Sequence, residues 1–463
     1  MLGLGWEDWA KARGAAAVDR KQRRVGMRAN LSEDDRRLFG DILSTMKRRS
    51  FLKSLGAAGA LAAVPRISEA ALPKAKITRV RVYLPPNHNE LFNQSNMVVT
   101  VETDAGITGV GEGGAKDTLE QRAASLIGKN PFLSEMIWQH MYIDWFYPPG
   151  REKIHAQGAL DMALWDIKGK ALGVPVYDLI GGMARNHVEC YGTGFGGGGR
   201  QAGQGGQRPQ LSVRERAAAT MEAGFRAFRM GAGDGGTQIG GVFNTHERVR
   251  KVASDCKEAR EGVGKDGDWC IDFHQRFDFA DGLRACRLIE EYEPYFVEDP
   301  VRDENALQDI PKLRQLTAVP LTHGEEWGQR WDFNRLVENH DIDYIRATLP
   351  NVGGITEMIK VRALCETHAV GIIPHFTGPI ATAALVHALG SFSGPVLVEI
   401  GGNTTLPPHL PQCHEFKNGK LWPAERPGLG VTLDMSQLKM IGEVTAAGRS
   451  NTYRRPDGSL THW

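Results

Sequence analysis

The sequence predicts a parallel β/α barrel preceded by a smaller α+β unit, and three observations predict it. After Asn186, short apolar strand-like stretches alternate with amphipathic helical patterns. Eight such stretches recur, at 187–192, 225–230, 268–273, 294–298, 319–323, 342–347, 370–374 and 395–399. Right-handed crossovers close a series of that kind into a barrel. Third, Asp272, Glu298, Glu325 and His375 each stand at the carboxyl end of a strand. Barrels build their sites on that face, which favours the closed form over an open doubly wound sheet.

Residues 1–45 are polar and mixed in charge, and are expected to form an extension outside the fold. At 46–70, paired Arg48 and Arg49 precede Phe51-Leu52-Lys53, a Gly/Ala-rich apolar run from Leu55 to Val64, and Ser68-Glu69-Ala70. This resembles a twin-arginine signal peptide, and implies a periplasmic or secreted product. The α+β unit spans 76–185. Ile77, Val80 and Val82, then Met97 to Thr103, read as β-branched strands, Asp104-Ala105-Gly106 as a turn, and Gly109 to Glu112 as a further short strand. Helical patterns follow at 118–128, 132–144 and 155–172, the last stopped by Leu172-Gly173-Val174-Pro175. The barrel spans 186–435, leaving 436–463 as a C-terminal segment.

Composition narrows the function classes. The 463 residues include 56 Lys+Arg and 55 Asp+Glu, but residues 1–70 hold 14 of the bases and only 8 of the acids. The remainder is 42 against 47, net −5. A mildly acidic body attracts neither a phosphate backbone nor a lipid surface, so neither nucleic acid nor, after processing, a membrane is expected as a partner. The six cysteines form no Cys-x-x-Cys pair and suggest no zinc site. The glycine-rich stretch 192–206 lacks the Gly-Lys-Ser/Thr ending of a phosphate loop and reads as a flexible active-site loop.

Asp272, Glu298 and Glu325 are 26 and 27 residues apart, about one β/α unit each, so they point into one mouth from neighbouring strands. Three anions in one cleft repel unless a cation sits among them. An all-oxygen set favours Mg²⁺ over zinc.

Ala159-Leu160-Asp161-Met162-Ala163-Leu164-Trp165-Asp166-Ile167-Lys168-Gly169-Lys170, Val297-Glu298-Asp299-Pro300, Gly324-Glu325, Gly353-Gly354-Ile355-Thr356 and Pro427-Gly428-Leu429-Gly430 stand in that order. They resemble the mandelate racemase/muconate lactonizing branch of the enolase superfamily. The resemblance covers about 76–435 and implies an N-terminal α+β capping domain on a modified (β/α)7β TIM-type barrel. It implies one Mg²⁺ held by Asp272, Glu298 and Glu325, and abstraction of a proton α to the carboxylate of a small substrate. Such a proton is weakly acidic, so the intermediate needs preorganised positive charge and a base on one face of the α-carbon.

Among the subclasses, the pattern is most similar to acid-sugar dehydratases of the galactonate and mannonate type. His274, two residues after Asp272, resembles the acid that expels the β-hydroxyl, and by the strand period it is expected on the same side as Asp272. His375 resembles the seventh-strand base, and Glu399 the residue that hydrogen-bonds the substrate carboxylate. Arg229 stands where the family has a second-strand lysine; it can bind an anion but is a poor base, which disfavours racemisation. Thr348 stands where an acid would orient His375. His88, Asn89, His323 and Arg346 are the candidate substrate contacts. The expected product is a 2-keto-3-deoxy acid, from an enzyme expected to be a homo-oligomer. An epimerase or cycloisomerase using the same enediolate, and a non-catalytic sugar-acid binding protein, stay open as alternatives.

Overall fold

The computed structural model of the chain describes residues 72–461, apart from 90, 92–93, 145–146, 148, 194–210, 232–241, 402–403 and 450–451. The expected extension and signal segment, and the glycine-rich stretch beyond Thr193, lie outside the described residues.

β-Branched residues bury along β1 (Ile77–Leu84) and β2 (Val98–Thr103), which pair antiparallel, and β3 (Thr108–Glu112) continues the meander after a turn with Gly106 at φ 74. Helices α1 (Lys116–Ala123) and α2 (Ser134–Ile143) follow, then α3 (Arg151–Leu172), buried along most of its length. Helix α3 lies directly on β3 because Gly109 and Gly111 carry no side chain. A Cβ there would stand 2.0 Å from the Ala163 carbonyl oxygen and 1.9 Å from that of Ala159. Gly173, at φ 71, ends the helix as the sequence predicts, and Pro175 precedes the single turn α4 (Val176–Leu179).

The barrel alternates strand and helix: β4 (Val188–Thr193), α5 (Val213–Glu222), β5 (Ala227–Gly231), α6 (Thr245–Val263), β6 (Asp268–Asp272), α7 (Phe279–Ile289), β7 (Phe296–Glu298), α8 (Ala306–Arg314), β8 (Leu321–His323), α9 (Arg330–Glu338), β9 (Tyr344–Ile345), α10 (Ile355–Thr367), β10 (Gly371–Ile372), α11 (Pro379–Gly390) and β11 (Val398–Gly401). All neighbours from β4 to β10 pair parallel, and β11 pairs parallel with β4. A parallel bridge between Ile372 and Val396 closes the ring. Eight parallel strands joined by seven helices make a closed (β/α)7β barrel.

Its interior follows the period of two. Tyr191, Ala227, Cys270, Phe296, Ile373 and Leu397, one from each of six strands or their immediate extensions, form a single buried cluster with Tyr344 packed against it. Each large apolar side chain so buried contributes ~1.5–3 kcal/mol.

The chain then adds a hairpin, β12 (Glu415–Lys417) and β13 (Lys420–Trp422), whose second strand pairs with β4. The segment after 436 returns to the first sheet. β14 (Lys439–Val444) pairs antiparallel with β1, Val80 opposite Val444, giving the order β14-β1-β2-β3. A last short hairpin joins β15 (Tyr453–Arg454) to β16 (Leu460–Thr461).

Buried carboxylates fasten the first sheet and α3 to the barrel. Asp161 accepts the Thr356 N–H at 2.9 Å and its hydroxyl at 2.6 Å. Asp166 accepts N–H groups from Val110 (2.9 Å) and Leu429 (2.8 Å), and Glu112 accepts that of Ala381 (2.8 Å). Asp161 and Asp166 belong to the α3 motif and Glu112 ends β3, so their place in the sequence pattern has a structural cause.

Candidate active site at the carboxyl ends of the strands

Two residues beyond each inward apolar side chain, the strand reaches the rim and the next inward position carries a polar group. Tyr191 is followed by Thr193, Ala227 by Arg229, Cys270 by Asp272, Phe296 by Glu298, Tyr344 by Arg346, Ile373 by His375 and Leu397 by Glu399. Asp272 and Glu298 are direct register partners on β6 and β7.

Strand β8 breaks the rule. Thr322 pairs with both Glu298 and Tyr344 and so holds the inward phase, while His323 holds the outward one. Gly324, at φ 98, then shifts the phase by one residue and brings Glu325 inward. A Cβ on Gly324 would lie 2.7 Å from Trp327. His323 accordingly stands apart from the other candidates. Its ring lies 3.0 Å from Asp299 Oδ1 and 3.4 Å from Asp303 Oδ1, fully buried. Burial alone would push His323 down, but the two carboxylates outweigh it and raise it to about 9.

The remaining groups meet around Arg346. One of its nitrogens, Nη2, lies 2.8 Å from Glu298 Oε1, 3.1 Å from Glu325 Oε2 and 2.6 Å from Glu399 Oε2. Its Nη1 donates to the Tyr191 hydroxyl at 2.5 Å. Arg229 pairs closely with Asp272, and Thr193 donates to Glu399. Arg346, Glu298 and Glu399 are 0%, 0% and 2% exposed, so this is a desolvated charge network. Burial raises the Asp272 carboxyl to about 6 even with Arg229 and His274 beside it, and raises Glu298 well above the usual range. Glu399 goes the other way: burial is outweighed by Arg346, His375 and Arg229.

The two histidines meet different members of this network, His274 at Asp272 and His375 at Glu325. Strand β6 stops at Asp272, and His274 and Gln275 take left-handed backbone angles, φ 54 and 57. The two-residue period therefore does not carry His274 to its place. The chain turns back so that the His274 N–H donates to Asp272 Oδ1 at 2.6 Å, with Nδ1 3.9 Å from Oδ2. His375 donates its backbone N–H to the Thr348 hydroxyl at 3.0 Å. Its Nδ1 lies 2.6 Å from the Phe376 carbonyl oxygen. A carbonyl only accepts, so Nδ1 carries a hydrogen and donates it, while Nε2 lies 3.9 Å from Glu325 Oε2. This backbone carbonyl does the orienting that the sequence pattern led one to seek in an acid at 348.

Beside the network opens a cavity of about 680 Å³, lined by Asn87, Asn89, Gln94 and Asn96 from the loop before β2, and by Thr377, Thr382 and Glu399 from the barrel. Asn89 reaches it, whereas His88 is occupied by Asn96 Oδ1 at 3.2 Å. Among the sequence candidates, Arg346 is expected as a substrate contact, whereas the structure makes it the hub of the carboxylates. Its position two residues past Tyr344 was the available signal. Asn351, which donates to the Glu325 carbonyl at 2.7 Å, carried none.

Residues 77–181 match the mandelate racemase/muconate lactonizing enzyme N-terminal domain, 212–437 the enolase C-terminal domain-like family, and 45–65 the twin-arginine translocation pathway signal sequence. A D-galactonate dehydratase of Xanthomonas oryzae pv. oryzae (strain PXO99A) is 34% identical over 383 residues, 79% of this chain and 96% of that one. Another D-galactonate dehydratase, of Pectobacterium atrosepticum, is 32% identical over 405 residues, 84% and 100% of the two chains. The crystal structure of an enolase superfamily member from Salmonella Typhimurium superposes with a TM-score of 0.70 at 27% identity, covering 80% of this chain and all of that one. The signal match marks the chain for twin-arginine export to the periplasm, and no helix among the described residues is long and apolar enough to cross a membrane. The chain belongs to the mandelate racemase/muconate lactonizing enzyme family of the enolase superfamily.

Proposed function

We propose that the protein is a Mg²⁺-dependent dehydratase that converts a sugar acid to a 2-keto-3-deoxy acid. The observation that carries the reading is the delivery of Asp272, Glu298 and Glu325 to one rim, with His274 beside Asp272 and His375 beside Glu325. The donors fit the ion: they are all carboxylate oxygens, and Glu298 Oε2 is buried without a hydrogen-bond partner. Asp272, Glu298 and Glu325 would hold Mg²⁺, which would supply positive charge beside the substrate carboxylate.

The chain's own groups do the rest. Nε2 of His375, on a ring held at Nδ1 by the Phe376 carbonyl, takes the α-proton. His274, with a side chain 45% exposed at the rim, gives a proton to the departing 3-hydroxyl. Arg229 is held protonated by Asp272 and neighbouring carboxylates, and serves the developing oxyanion. Glu399 and the amides and hydroxyls of the adjoining cavity suit a polyhydroxy chain, in line with the D-galactonate named for the relatives.

The test is incubation of the purified protein with aldonic and uronic acids in D₂O with Mg²⁺. A 2-keto acid is expected. Activity should fall to background with EDTA, and by 10²-fold or more in His375→Ala and His274→Ala. Deuterium exchange without keto acid would instead identify an epimerase, and binding without exchange a sugar-acid binding protein.

A further inference from the structure

Arg346 deserves a role of its own in the cluster, because of where one nitrogen lies. Nη2 carries two hydrogens, yet three carboxylates from three strands approach it within 2.6–3.1 Å. It occupies the point among Glu298, Glu325 and Glu399 at which a shared cation would be attracted. Among the described residues, no group of three His, Cys, Asp or Glu side chains is already gathered as a ligand set. The acids are gathered on arginine instead, Asp272 on Arg229 and the other three on Arg346.

We propose that Arg346 is a resident counter-cation that shares Glu298 and Glu325 with the divalent ion, holding the cluster together before the ion arrives and limiting how tightly it is bound. The inference rests on the metal-dependent reading of the site. Four carboxylates, Asp272, Glu298, Glu325 and Glu399, stand against two guanidiniums, Arg229 and Arg346, a formal balance of −2. One divalent cation neutralises that balance. Without Arg346 the ion would meet −3 and two carboxylates free of competition; without Glu399 it would meet −1 and an Arg346 turned wholly onto its ligands. Charges this close and this buried interact strongly.

Calorimetric titration with Mg²⁺ alone, without substrate, tests this. Arg346→Gln should tighten the Kd at least about tenfold, and Glu399→Gln should weaken it about tenfold although Glu399 is not among the proposed ligands. Thermal unfolding supplies a second readout: Arg346→Gln should melt below wild type in EDTA and regain most of the difference in saturating Mg²⁺. Equal or weaker Mg²⁺ binding by Arg346→Gln, with wild type binding normally, overturns the role of Arg346 alone. If wild type and Arg346→Gln both take up no Mg²⁺, the metal-dependent reading falls with it. Should Arg346→Gln not fold, Glu399→Gln decides: an unchanged Kd overturns the proposal.

Discussion

The hydroxyl of Thr348 accepts the His375 N–H and donates in turn to the Arg346 carbonyl at 3.1 Å, so one small side chain ties β9 to the residue proposed as base. Valine has nearly the same shape and no acceptor. Thr348→Val is expected to leave a buried N–H unpaired and to lower unfolding free energy by about 1–3 kcal/mol in denaturant titration. Because the backbone that carries the His375 ring would lose this anchor, kcat should fall about tenfold with KM little changed. An unaltered kcat would mean that the Phe376 carbonyl positions the ring unaided. At this scale the strand ends that carry Asp272, Glu298, Glu325 and His375 were legible, because strand ends announce themselves by apolar runs. What was not legible was phase. His323 and Glu325 lie two residues apart on one strand end, and only the left-handed Gly324 decides which of them faces inward.

Among elements, the buried carboxylates that join α3 and β3 to the barrel have a pH signature. Burial pushes Glu112 up to about 8 and Asp161 up to about 7, against the hydrogen bonds that would lower them. Raised folded values mean that their favourable contribution is whole below about pH 4 and is lost as pH rises through 7 to 8. Wild type should therefore lose stability between pH 5 and 9, and Glu112→Gln should flatten that decline, removing up to a few kcal/mol of the pH dependence in melts across this range. A slope identical to wild type would show that Glu112 does not titrate there. The sequence marked Asp161 and Asp166 only as motif members and Glu112 only as the end of a short strand. Their partners, Thr356, Leu429 and Ala381, are between 195 and 269 residues away, beyond the reach of any local pattern.

For the whole molecule, the order of elements was readable from alternating strands and helices, and the closure of the barrel from the count of eight. The destination of the C-terminal segment was not. β14 is Lys-Met-Ile-Gly-Glu-Val, an edge strand with a glycine inside and no buried residue, so it lacks the alternation that identifies a half-buried strand. It is nonetheless joined to β1 by backbone pairing and by Glu443, 2.8 Å from Arg81 and 3.3 Å from Arg79. Exposed ion pairs of this sort contribute at most about 1 kcal/mol, so most of the effect of losing the segment should come from the uncovered backbone edge. Removing residues 439–461 is expected to lower Tm by at least about 5 °C and to produce soluble aggregates in size-exclusion chromatography, while far-UV circular dichroism keeps its barrel signal.

The return of β14 to β1 also orders events in time. The first sheet waits for a strand encoded some 360 residues later, so it cannot be completed until β14 has left the ribosome. A protein addressed to the twin-arginine route travels after folding. A product truncated before β14 would therefore reach the export step with the β1 edge still open.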